Sequence, residues 1–177
     1  MGMLEKGFIH VYTGNGKGKT TSAIGLAIRA AGAGMKTYFI QFMKDYPYSE
    51  IEALKMYSGK ITVEQYCGDE FVLKRELPAK SLIDEAKRGL NRAISAMQSG
   101  EYDLVILDEA LVSIYFKLLT TEDILNVINR KPETVELILT GRYCPQEIID
   151  KADLVTEMKE IKHYYTQGIK SRKGIES

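Results

Sequence analysis

The run Thr13-Gly14-Asn15-Gly16-Lys17-Gly18-Lys19-Thr20-Thr21 directly follows an apolar stretch over 8–12 and precedes an alanine-rich helical segment. Strand, glycine-rich loop and helix in that order constrain the fold more than anything else in the chain. Three glycines let successive backbone N–H groups turn inward, while Lys19 adds a point charge and Thr20 a hydroxyl suited to Mg²⁺. The start of the next helix brings free N–H groups and its positive dipole end to the same place. The loop therefore predicts a bound nucleoside triphosphate, cradled by Gly14, Asn15, Gly16, Lys17, Gly18, Lys19, Thr20 and Thr21. One position departs from the G-x-x-x-x-G-K-[ST] pattern. Thr13 stands where the first glycine belongs, and Gly14 and Gly16 are displaced inward.

Short β-rich runs alternate with helical segments along the rest of the chain. Strands are predicted at 8–12, 36–43, 61–66, 104–107, 135–140 and 154–158. The segment 79–99 carries apolar residues at helical spacing and stops at Gly100, and Thr120 with Asp123 forms an N-cap pattern opening a helix over 122–129. This alternation predicts an α/β fold of the phosphate-loop NTPase type, a mainly parallel sheet with helices on both faces and ligands at the carboxyl ends of the strands. Two stretches break the rhythm and are expected as loops, 44–49 and 67–78. The basic tail 162–177 is expected as a flexible terminus.

A length of 177 residues and 45% hydrophobic content fit a single domain over 1–177. Formal net charge of zero removes the broad positive field expected of a nucleic-acid binder. Cys67 and Cys144 stand far apart and form no zinc pattern, so both are expected as reduced thiols of a cytoplasmic protein. No apolar run is long enough for a membrane span, and the N-terminal residues match neither a signal peptide nor a myristoylation signal.

The strand 104–107 ends in Asp108 and Glu109, a Walker B-like element whose carboxylates can hold Mg²⁺ beside the loop. Thr20, Asp108 and Glu109 are thus the candidate metal ligands. Arg142, after Thr140 and Gly141, ends the next strand in the same way. Arg29 on the helix after the loop, with Gln41 and Lys44 at the end of the second strand, are further cations and polar groups within reach. Each of these also has a bland reading as a solvated or ion-paired side chain.

Taken in order, the segments 14–21 (GNGKGKTT), 41–44 (QFMK), 107–109 (LDE), 139–142 (LTGR), 152–157 (ADLVTE) and the tail with Lys162, His163, 168–170 (GIK) and 174–175 (GI) resemble the ATP:corrinoid adenosyltransferases of the BtuR/CobA/CobO type. The resemblance covers almost the whole chain. It implies that a corrinoid reduced to Co(I), cobalamin or cob(I)yrinic acid a,c-diamide, attacks the 5′-carbon of ATP and that triphosphate leaves, in adenosylcobalamin synthesis or salvage. ATP is then a cosubstrate threaded through the loop in the sense opposite to ordinary nucleotidases, with Mg²⁺ as the cofactor. Lys19, Thr20 and Glu109 would be the catalytic residues, assisted by Arg29 and Arg142, with Asn15 near the ribose and Lys44 near the nucleotide. The resemblance also implies a homodimer and an electron-donating flavoprotein reductase. Family members place aromatic residues beneath the corrin. This chain has no Trp, and Phe71 is the aromatic candidate for that contact. An ordinary phosphate-loop kinase or NTPase, and an ATP-gated binding module, are the alternative readings.

Overall fold

The computed structural model describes residues 4–44 and 48–176. Six parallel strands form one sheet: β1 (Ile9–Thr13), β2 (Thr37–Phe42), β3 (Ile61–Tyr66), β4 (Leu104–Asp108), β5 (Glu136–Thr140) and β6 (Leu154–Glu157). Their spatial order is β3-β2-β4-β5-β1-β6. All six strands occur where the apolar runs predict them, with no end shifted by more than one residue. The central strands β2 and β4 are buried at every position, as expected of parallel strands covered on both faces.

Two apolar clusters fill the two faces. On one side α1 (Lys19–Gly32) lays Ala23, Ala27 and Ala30 against Phe39, Ile106 and Ile138. Small side chains at this spacing let the helix sit close to the strand ends. The other side carries α4 (Lys80–Gln98), α5 (Ala110–Tyr115) and α6 (Thr121–Asn129) over Ile40, Val105, Leu107 and Leu137. The capping box of α6 forms as the sequence predicts, Thr120 Oγ1 accepting from the Asp123 amide and Asp123 accepting from the Thr120 amide. Three short helices complete the set: α2 (Ser49–Leu54), α3 (Glu70–Leu73) and α7 (Gln146–Ile149).

Two expectations change in detail. The stretch 67–78 contains α3, because Phe71 buries its ring edge-on to Phe116 and so fixes one helical turn. The tail folds back: a 3₁₀ turn at Tyr164–Gln167 leads into a segment that packs against the glycine-rich loop. Of the expected loop 44–49, residues 45–47 lie outside the described residues, and Ser49 already begins α2. Residues 1–3 of the N-terminal reading also lie outside them. Cys67 and Cys144 are both free thiols, and burial pushes each up to about 12. Among the described residues no helix is long and apolar enough to cross a membrane.

Candidate functional site

The glycine-rich loop connects β1 to α1 at the carboxyl edge of the sheet. Its glycines are demanded by the chain that passes beneath it. A Cβ on Gly14 would stand 2.5 Å from the Met158 carbonyl oxygen, and one on Gly16 2.7 Å from the same atom. Gly16 N–H donates to that oxygen at 2.7 Å, and Met158 N–H donates to Thr13 O at 2.8 Å. The segment after β6 is therefore the bed of the loop, which explains the inward displacement of the glycines: they lie where the backbones touch. Gly18, φ 120°, is the N-cap of helix α1 and offers no side-chain cap. Its first N–H groups thus remain available for an anion.

Sheet register builds the rest. Gln41 pairs with Asp108 across β2 and β4, and Leu107 with Leu139 across β4 and β5, so Gln41, Asp108 and Thr140 form a row at the strand ends. Asp108 is fully buried. Its carboxylate accepts from Thr140 Oγ1 (2.7 Å), Thr20 Oγ1 (2.9 Å), Lys44 Nζ (3.0 Å) and Gln41 Nε2 (3.2 Å). The acid therefore organises its neighbours and does not line the cleft above them. Because the Thr20 hydroxyl gives its proton to Asp108, its lone pairs are left for a cation.

Glu109 is placed differently. Its backbone adopts the left-handed region, φ 60°, where a residue with a Cβ is uncommon, and its N–H donates to Thr140 Oγ1 at 3.0 Å. This turn directs Glu109 into the cleft, where its carboxylate accepts no hydrogen bond from the described residues. Burial and the neighbouring Asp108 charge raise its pKa, against the opposing pull of Lys44, Lys19 and Arg142. Burial lowers Lys19, whose ammonium donates to Gly16 O at 2.8 Å. Burial also pulls Lys44 down, but the charge and hydrogen bond of Asp108, with Glu109 and Glu50, outweigh it and leave Lys44 raised.

These groups surround a cleft of about 640 Å³ lined by Asn15, Gly16, Lys17, Gly18, Lys19, Thr20, Thr21, Lys44, Glu109 and Arg142. The sequence-predicted residues are thus largely brought together. Besides Asp108, buried beneath the cleft, three sit elsewhere. Gly14 lies under the loop on the Met158 backbone, Arg29 is exposed on α1, and Phe71 is only 6% exposed, packed in the core. Among the described residues no cluster of three or more His, Cys, Asp or Glu could chelate a metal unaided. Thr20 and Glu109 nevertheless supply hard oxygen donors, the kind a magnesium ion shares with bound phosphates.

Sequence reading missed several contributors. Ser49, Glu50 and Ala53 of α2 form one wall, and His163, Gly174, Ile175 and Glu176 of the tail form another. It also missed an exposed aromatic pair next to Arg142. Tyr115 and Tyr143 stack with centroids 4.4 Å apart, each more than half exposed, and Tyr115 meets Phe116 edge-on. Tyr143 holds a left-handed backbone, φ 60°. No local sequence pattern signals this pair, because α5 and the loop after β5 meet only through the sheet.

With this geometry in view, the comparisons with known proteins are specific. The model of the family "ATP:corrinoid adenosyltransferase BtuR/CobO/CobP" matches residues 5–177. The chain belongs to this family. A corrinoid adenosyltransferase of Escherichia coli K12 is 34% identical over 97% of this chain and 86% of its own length. The corrinoid adenosyltransferase CobA of Salmonella typhimurium LT2 is 32% identical with the same coverage, and a Pseudomonas aeruginosa relative named corrinoid adenosyltransferase is also 32% identical, over 97% and 84%. Among solved structures, a KaiC-like protein of Pyrococcus horikoshii aligns with a TM-score of 0.58 at 20% identity, covering 89% of this chain and 75% of that one. That likeness is one of fold. The chain is accordingly an adenosyltransferase, and the site lies on a phosphate-loop NTPase-like scaffold.

Proposed function

We propose that the cleft transfers the 5′-deoxyadenosyl group of ATP to the Co(I) centre of a corrinoid by stabilising triphosphate as the leaving group. The observation that carries this reading is the convergence of Lys19, Lys44 and Arg142 on the glycine-rich loop beside Glu109. In the reaction the cobalt electron pair forms the Co–C bond, the bond from C5′ to the triphosphate oxygen breaks, and that oxygen keeps its pair. Charge develops on the triphosphate, so the protein must meet it with cations and amides fixed in advance. Lys19, the loop N–H groups and Arg142 do so directly, and Lys44 is held ready by Asp108. Magnesium held by Thr20 and Glu109 would neutralise further phosphate charge. The nucleophile belongs to the corrinoid, so no side chain has to act as a base.

Tyr143 follows Arg142 directly in the chain and stacks on Tyr115, and the two exposed rings offer an apolar face to a flat macrocycle. They replace Phe71 as the aromatic candidates for the corrin, since the Phe71 ring is spent on Phe116. A reductase that supplies the electron and a homodimeric assembly complete the reading, both resting on the family resemblance.

The test is anaerobic incubation with MgATP and a chemically reduced corrinoid. A photolabile adenosyl-corrinoid and inorganic triphosphate are the expected products. ADP and phosphate would point to a kinase or NTPase, and tight MgATP binding without turnover to an ATP-gated module; either would overturn the proposal.

A further inference from the structure

The tail segment carries an arrangement that the transfer chemistry does not require. Lys17 stands in the loop between Gly16 and Gly18, and its side chain reaches across to the tail. Its ammonium donates to Ile175 O at 2.6 Å and to Glu176 Oε1 at 3.1 Å. Glu176 in turn gathers the tail around itself. It accepts from the Arg172 amide at 2.8 Å, from Arg172 Nη2 at 3.0 Å and Nε at 3.2 Å, and from the Tyr164 hydroxyl. Arg172 also lies over the Tyr164 ring, 4.9 Å from its centroid. One carboxylate thus fastens both ends of the segment 164–176 to each other and the whole segment to the loop, across 159 positions of sequence. The pinned segment is what places His163, Gly174 and Ile175 along the cleft.

We propose that Glu176 is a positioning residue for ATP, which acts through Lys17 to hold the segment 163–176 as a closing wall over the bound nucleotide. The chemistry of the contact suits that task. Triphosphate in the loop would repel a bare carboxylate, but Glu176 is paired with Lys17 and Arg172, whose two positive charges exceed its one negative charge. Lys17 can therefore bridge phosphate and Glu176 at once, using different N–H donors. The segment is otherwise short of buried apolar anchors, since Tyr165, Ile169 and Ile175 are all exposed. Its placement depends on these polar contacts, which nucleotide binding would reinforce. The proposal rests on the cleft being the ATP site and not on the identity of the acceptor.

Two measurements test it. Glu176→Gln should raise the KM for ATP by about fivefold, the fold-change of one exposed charge contact, with kcat at saturating ATP within about twofold of wild type. In a Lys17→Met background the same substitution should change the KM by less than about twofold, because the partner through which it acts is gone. Trypsin supplies a readout independent of turnover, because Lys170, Arg172 and Lys173 are exposed cleavage sites on the segment. MgATP should protect these bonds in the wild type and much less in Glu176→Gln; Glu176→Asp should restore part of the protection. Equal protection in wild type and Glu176→Gln, or faster cleavage of the wild type when MgATP is added, would overturn the proposal. Protection without any adenosyl-corrinoid product would instead overturn the assigned reaction and leave the wall standing.

Discussion

Asp108 and Glu109 are adjacent acids with opposite duties, and the difference lies in one backbone angle. Asp108 continues the strand and is consumed by four donor residues, whereas the left-handed turn at Glu109 sends the next carboxylate into the cleft. The sequence shows two acids at a strand end and offers no means of separating them. Glu109 has a raised pKa in the folded protein, first from burial and then from Asp108. Between its ordinary carboxylate pKa and the raised one, the folded state binds more protons than the unfolded state, so stability falls as pH rises through that window. Glu109→Gln should therefore make the ligand-free protein more stable at neutral pH and leave it unchanged below the carboxylate range. The same variant should lose adenosyl transfer by about a hundredfold, the usual scale for one charged group aimed at a reacting centre. Urea denaturation at acid and neutral pH, together with the activity, checks both halves; a variant less stable at neutral pH would contradict the assignment. Lys19→Ala should likewise cost about a hundredfold or more in kcat/KM, measured with ATP varied. A smaller loss there would move the leaving-group role to Lys44 and Arg142.

At the scale of elements, the glycine-rich loop was legible from its own letters but its bed was not. Gly14 and Gly16 read as anion-nest glycines, and the contact that makes them necessary is with Met158, more than 140 positions away. The strands were legible because parallel strands buried on both faces are continuous apolar runs, and α4 because its apolar spacing has a clear period. The tail was not, since its order comes from ionic contacts to Glu176 and carries no periodicity. Tyr115 and Tyr143 were invisible for a related reason: their proximity is a product of sheet order. Gly16→Ala should force the Met158 carbonyl away from the loop at a cost of about 1–3 kcal/mol, the range for overpacking, and weaken ATP binding at the same time. By contrast, Thr120→Ala removes the N-cap of α6, far from the cleft in function, and should cost about 1 kcal/mol with the ATP KM unchanged. Thermal unfolding and ATP titration of the two variants separate them; a Gly16→Ala protein with normal ATP affinity would show that the loop tolerates a shifted bed.

The whole molecule ties its most distant parts together through one sheet. Strand β1 carries the loop, pairs with β5 on one side and β6 on the other, and α1 crosses over β5 and β4 before the chain returns as β2. Both apolar clusters therefore draw on strands from the first and last thirds of the chain, with Ile9, Val11 and Leu139 in one and Phe39 and Ile138 in the other. A chain wired in this way has no seam along which one part could unfold and leave the other buried, and we propose that it behaves as a single domain. Its 11 tyrosines and absence of tryptophan make tyrosine emission a probe spread over the fold, from Tyr12 in β1 to Tyr164 in the tail. Tyrosine emission and backbone circular dichroism should then report the same thermal midpoint. MgATP at about 100 times its Kd should add ~2.7 kcal/mol by mass action, which for a chain of this size raises Tm by about 5–10 °C. In Lys19→Ala at the same MgATP concentration most of that rise should vanish, while the two probes still coincide. Two separated transitions would break the single-domain proposal, and an undiminished rise in Lys19→Ala would place the nucleotide somewhere other than the loop.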